Sequence, residues 1–158
     1  KVTGVQTCAL PISAFVEAAR SGITAAKAGF IATFGIKPDH PATGYGYIRP
    51  GKAVLKETFE VAAFVEKPSL DLAKTYLAKG YVWNSGNFAF AAKTLMGEFE
   101  TFAPAIADAA RKAVVQARRD GDYLYLDTPA FAEATKTSLD YAVMEKTAKA
   151  AEIGRAHV

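Results

Sequence analysis

Apolar and polar positions along the chain alternate between strand-like and helix-like patterns. Residues 14–28, AFVEAARSGITAAKA, are alanine-rich and helix-permissive, and Gly29 can stop the helix. Phe30 to Ile36 (FIATFGI) is a nearly continuous apolar run, which predicts a strand buried on both faces of a sheet. KPDHPATG is turn chemistry, with two prolines, Asp39 and Gly44. Tyr45 to Arg49 returns as a short strand turned by Pro50-Gly51, and Val61 to Val65 is a third strand. Ser69 can cap a helix starting at Leu70, with Asp71 near its positive end. Leu70, Ala73 and Leu77 keep helical spacing, and Gly80 can end the element. Asn87 to Phe90 reads as a strand, Ala92 to Phe99 as a helix, and 104–119 as a longer helix broken by Asp120-Gly121-Asp122. Ser138 can cap a last helix, LDYAVMEK. There is no internal repeat and no linker. Strands and helices alternate with short connections, which predicts an α/β sheet.

Composition narrows the picture. The 158 residues suffice for one domain with a sizeable core, and 51% hydrophobic residues mark a globular chain. The net charge of +3 is small and its positive residues are scattered, which argues against a nucleic-acid groove. No apolar run reaches the roughly 20 residues that cross a bilayer, and Cys8, the one cysteine, allows no disulfide framework. His40 and His157 are too few and too far apart for a zinc site, so no metal-ligand set is read from the residues. A cytoplasmic enzyme or binding domain is the expectation.

The two ends stand apart. Residues 1–13 (KVTGVQTCALPIS) lack strand or helix periodicity and the shape of a signal peptide. Thr7 to Ile12 can be encoded by a DNA whose reverse complement, shifted by one base, reads Ile153-Gly154-Arg155-Ala156-His157. That DNA resembles a sequencing adapter. Residues 1–13 and 152–158 are therefore expected to be non-native tails around an internal piece, 14–151, of a longer protein.

Three polar clusters and one helix could carry chemistry. Glu66-Lys67-Pro68 sits where a strand ends, and ligands of open α/β sheets lie beyond such ends. Neighbouring strand residues point to opposite sides, so an acceptor carboxylate suited to hydroxyls and an ammonium suited to phosphate can make two contacts. Taken alone, the stretch reads first as a solvated strand end with an incidental ion pair. Thr43-Gly44-Tyr45-Gly46-Tyr47-Ile48 permits close backbone approach to a ligand, although by itself it is more simply a turn entering a strand. Arg49 stands where a dinucleotide fingerprint needs its third glycine. Trp83-Asn84-Ser85-Gly86-Asn87 is polar between apolar runs. It reads equally as a structural turn or as a contact to a polyhydroxylated ligand, with Asn84 offering donors and an acceptor. Asp140 and Glu145 lie five apart on a helix and so on different faces. Glu145 reads as solvated, and Asp140 stays open.

Together, FGIKPDHPATGYGYI, VAAFVEKPSLDLAKTYLAKG, WNSGNFAF and SLDYAVMEK closely resemble bacterial mannose-1-phosphate guanylyltransferases of the sugar nucleotidyltransferase superfamily, over nearly all of 14–151. The resemblance implies part of a Rossmann-like nucleotide-diphospho-sugar transferase fold, with a mixed sheet and flanking helices. It implies a parent enzyme that joins mannose 1-phosphate to GTP, giving GDP-mannose and pyrophosphate for polysaccharide biosynthesis. It places Gly46, Glu66 and Lys67 in the sugar-phosphate pocket, with Lys67 holding the attacking phosphate, Glu66 the sugar and Asn84 facing it. It also implies Mg2+ across the phosphates, but the family's glycine-rich triphosphate loop and both metal aspartates are missing here. The piece is accordingly expected to be inactive, with missing sheet partners leaving strand edges exposed. A glucose 1-phosphate enzyme and a non-catalytic sugar-nucleotide-binding subunit of the same fold remain as alternatives. Oligomeric state and any fused isomerase domain stay open.

Overall fold

The apolar run at 30–36 forms β1 (Ile31–Ile36), and its side chains show how the layers are arranged. Ile31 enters a core with Ile48, Phe64, Val143 and Met144, while the next residue, Ala32, joins Ala25 and Ile153 on the opposite face. Both are fully buried, as expected of a strand covered on two sides. The structure is a computed structural model that describes residues 12–154. Of the expected tails, 1–13 and 152–158, residues 1–11 and 155–158 lie outside the described residues.

Around β1 the chain runs α1 (Ile12–Lys27), then β2 (Tyr47–Leu55), β3 (Thr58–Val65), α2 (Leu70–Ala78), β4 (Val82–Ala89), α3 (Ala92–Phe102) and α4 (Pro104–Val115). It continues with β5 (Arg118–Asp120), β6 (Tyr123–Tyr125), α5 (Thr128–Ala132), α6 (Asp140–Met144) and β7 (Ala150–Ile153). The main sheet has the order β1-β4-β2-β3-β7. Strand β7 pairs with β3 and, in parallel, with β1, so the sheet closes on itself. The other pairings are antiparallel, which makes the sheet mixed. The expected α/β architecture is therefore present. The expected exposed edges are not: each of the five strands has two neighbours, because β7 fills the gap between β1 and β3. Glu152 and Ile153, inside the segment set aside as a tail, lie in β7.

Several local expectations hold because they rest on local chemistry. The Ser69 side chain caps α2 by accepting from the Leu72 N–H, and Gly80 follows the helix with φ 75°. Others shift. Pro50-Gly51 does not end β2; the strand continues to Leu55 through irregular pairing with β3. Proline lacks a donor, so a bulge accommodates it. The long helix expected at 104–119 stops at Val115, and Arg118–Tyr125 folds into a small hairpin about Gly121, φ 58°. Among the described residues no helix is long and apolar enough to cross a membrane.

Candidate functional site

The chain brings Gly46, Glu66, Lys67 and Asn84 to one place, just beyond the carboxyl end of β3 and beside the start of β2. The link is steric. A Cβ on Gly46 would stand 2.6 Å from Glu66 Oε2 and 3.3 Å from the Asn84 Cβ, so a side chain there would push the Glu66 carboxylate out of its place. The Gly46 carbonyl accepts the Asn84 N–H at 2.8 Å, fixing β4 against this corner.

Glu66 and Lys67 form an ion pair at 2.5 Å, with the glutamate side chain 7% exposed and the lysine side chain 53% exposed. The hydrogen bond to Glu66 raises the Lys67 pKa, and the charges of Glu66, Tyr141 and Asp140 add to it. The ammonium also lies 6.0 Å from the Tyr141 ring centroid, at the limit of a cation–π contact. A half-exposed ion pair contributes little to stability, so the fold gains little from this arrangement. Its backbone is strained as well. Lys67 has φ 47°, a left-handed conformation unfavourable to non-glycine residues, and it precedes Pro68, whose ring favours extended geometry before it. Such strain persists where surrounding structure imposes it, and it clusters at ligand sites.

Part of what imposes it is Glu145. Its carboxylate accepts the Glu66 backbone N–H at 2.9 Å, across 79 residues of sequence. Glu145 is exposed, but it is not merely a solvated helix face. The separation of Asp140 and Glu145 onto different faces also fails, for a geometric reason. Helix α6 is a single π-type turn in which the Glu145 N–H bonds the Asp140 carbonyl at 3.0 Å, and an i to i+5 turn brings those two residues to the same side. Asp140 accepts from Asn84 Nδ2 at 3.0 Å. Burial raises the Asp140 pKa first and the Glu66 charge raises it further, while its own backbone N–H, the Lys67 charge and the Ser138 hydroxyl oppose the rise.

Asn84 is not in a turn but in β4, and the stretch is a bulged strand. Thr33 pairs with Phe88 while Gly35 pairs with Asn84, so β4 carries extra residues between these positions. Bulges of this kind re-aim side chains next to functional sites. Asn84 Oδ1 accepts the Gly86 N–H at 3.1 Å and the buried Thr33 hydroxyl at 2.6 Å. Sequence reading passed over Thr33 and the backbone contact of Glu145. The available signal for Thr33 was a single hydroxyl inside an otherwise apolar run.

These residues do not fit a magnesium ion. Among the described residues no three His, Cys, Asp or Glu side chains converge as a metal cluster.

Fold and site together define a mixed α/β protein with a charged corner at the carboxyl end of a strand. The chain belongs to the nucleotidyl transferase family, whose model, described as Nucleotidyl transferase, matches residues 9–138. It is 50% identical over 139 residues to the xanthan biosynthesis protein XanB of Xanthomonas campestris pv. campestris (strain B100), covering 87% of this chain and 29% of that protein. It is 46% identical over 142 residues to the mannose-1-phosphate guanylyltransferase of Escherichia coli (strain K12), covering 87% and 30%. Among solved structures, one described as a mannose-1-phosphate geranyltransferase from Thermus thermophilus superposes with a TM-score of 0.76 at 36% identity, covering 89% of this chain and 39% of that one. A mannose-6-phosphate isomerase from Helicobacter pylori gives 0.80 at 28% identity, covering 90% and 56%. The chain thus spans under a third of the length of these curated relatives.

Proposed function

We propose that this chain is the sugar-phosphate-binding part of a mannose-1-phosphate guanylyltransferase, an enzyme that makes GDP-mannose and pyrophosphate from GTP and mannose 1-phosphate. The observation that carries the reading is the strained Glu66-Lys67 corner, held against Gly46 and Glu145 although its half-exposed ion pair adds little to stability. In the reaction an oxygen of the sugar phosphate attacks the α-phosphorus of the nucleotide, and pyrophosphate leaves. No protein nucleophile is needed, and the pocket has only to orient the attacking group and offset its charge. Lys67 is the charged contact to that phosphate. Glu66, with its Oε1 on Lys67, keeps Oε2 for a sugar hydroxyl. The nucleotidyl transferase family generally uses a divalent metal.

Titration calorimetry tests the reading. The chain binds mannose 1-phosphate more tightly than glucose 1-phosphate, and Lys67→Met weakens both by about a hundredfold, the scale of a charge-assisted contact. Equal affinity for the two sugars points instead to a related hexose phosphate enzyme, and an unchanged Lys67→Met variant removes the pocket from this corner. The chain alone is proposed to lack transferase activity, because its sequence carries no triphosphate loop. GDP-mannose formed by the purified chain from GTP and mannose 1-phosphate refutes that.

A further inference from the structure

Asn84 was the residue expected to offer a sugar both donors and an acceptor, but its hydrogen bonds leave no acceptor to offer. The Gly86 N–H can only donate, so the Asn84 atom facing it is the carbonyl oxygen, and that oxygen also takes the Thr33 hydroxyl. Both lone pairs of Oδ1 are occupied. The amide nitrogen is directed to Asp140 Oδ1. The next acceptor along this chain of hydrogen bonds is the Asp140 carboxylate, which the Ser138 hydroxyl and its own backbone N–H also hold and whose several lone pairs leave room for a further donor.

From this chain of hydrogen bonds we propose that Asp140 is a substrate-binding and specificity-determining residue, its second oxygen accepting a sugar hydroxyl opposite Glu66. This rests on the sugar-phosphate reading above and deepens it. Four observations support it. Asp140 Oδ1 is held by Asn84, which itself is locked by Thr33 and Gly86, so the orientation of the carboxylate is fixed before ligand arrives. The residue is half-buried, where a hydrogen bond counts for more than at the surface. It lies close enough to Glu66 and Lys67 for both charges to act on its titration. Finally, the two carboxylates repel each other in the free pocket, and the hydroxyl donors of a hexose placed between them relieve that repulsion. A planar or purely anionic ligand does not. The pocket therefore separates two tasks. Lys67 takes the phosphate, and Glu66 with Asp140 reads the hydroxyls of the ring.

The isosteric Asp140→Asn variant keeps an acceptor for Asn84 but loses the charged acceptor for the sugar. In calorimetry with the whole 158-residue chain, the expected result is about a tenfold loss of mannose 1-phosphate affinity with no weakening of inorganic phosphate binding, since the variant removes a negative charge near Lys67. Lys67→Met weakens both ligands. A variant that binds mannose 1-phosphate as the unsubstituted chain does, while Lys67→Met is impaired, overturns the role of Asp140 and leaves the sugar-phosphate reading standing. Equal weakening of sugar phosphate and inorganic phosphate marks a structural role and overturns it too. No binding of mannose 1-phosphate by the unsubstituted chain overturns both. A second measurement needs no variant: in the nitrogen-labelled chain the Asn84 side-chain amide resonance shifts with mannose 1-phosphate and not with inorganic phosphate. Equal response to the two contradicts the proposal.

Discussion

Gly46 and Glu152 show how single side chains decide this structure. Gly46 leaves room for the Glu66 carboxylate, which a side chain at 46 would displace. Glu152 is 3% exposed in β7, and burial pushes its pKa from 4.5 up to about 7, opposed by a backbone hydrogen bond at Gly35. It contrasts with Glu98, also buried, where burial is outweighed by Lys149 at 2.7 Å and Thr147 at 2.5 Å, so its pKa falls. A carboxyl whose pKa is raised on folding supports the fold fully below the unfolded value and loses that support as pH climbs through the folded one. The effect saturates at about 3 kcal/mol. Thermal unfolding is therefore expected to show Tm falling between about pH 5 and pH 8, and Glu152→Gln to flatten the slope. A Glu152→Gln chain with an unaltered slope contradicts this. At this scale the Glu66-Lys67 pair was legible in sequence, because adjacent opposite charges before a proline are conspicuous. The burial of Glu152 was not, since it depends on β7 slotting between two strands distant in sequence.

Elements set the aim of these side chains. The caps of α2 were readable from Ser69 and Gly80, because capping involves residues three or four apart. The π-type turn of α6 and the bulge of β4 were not. Ordinary helical periodicity separates Asp140 from Glu145, and alternation alone does not reveal extra residues between Asn84 and Phe88. Both irregularities converge on the pocket, and each redirects a polar side chain into it. Glu145 should therefore act through the backbone of Glu66. Glu145→Ala is expected to weaken mannose 1-phosphate binding by about tenfold while Tm moves by only a few degrees. Glu145→Gln, which retains an acceptor, restores most of the affinity. If the alanine variant binds normally, the corner is held by something other than this hydrogen bond.

At the scale of the whole molecule, the alternating pattern gave the class of fold, while closure of the sheet through β7 was invisible to it. Strand order depends on long-range pairing, and no local signal specifies that Ala150–Ile153 lies between β1 and β3. The Glu66-Lys67 corner lies beside α6, which packs with α3 over the Ile31, Phe64 and Val143 core. A crystal structure of the chain soaked in mannose 1-phosphate shows most directly what the Glu66-Lys67 corner grips. A phosphate oxygen is expected roughly 3 Å from Lys67 Nζ, with ring hydroxyls on Glu66 Oε2. A sugar phosphate bound elsewhere, with Glu66 and Lys67 still paired only to each other, contradicts it.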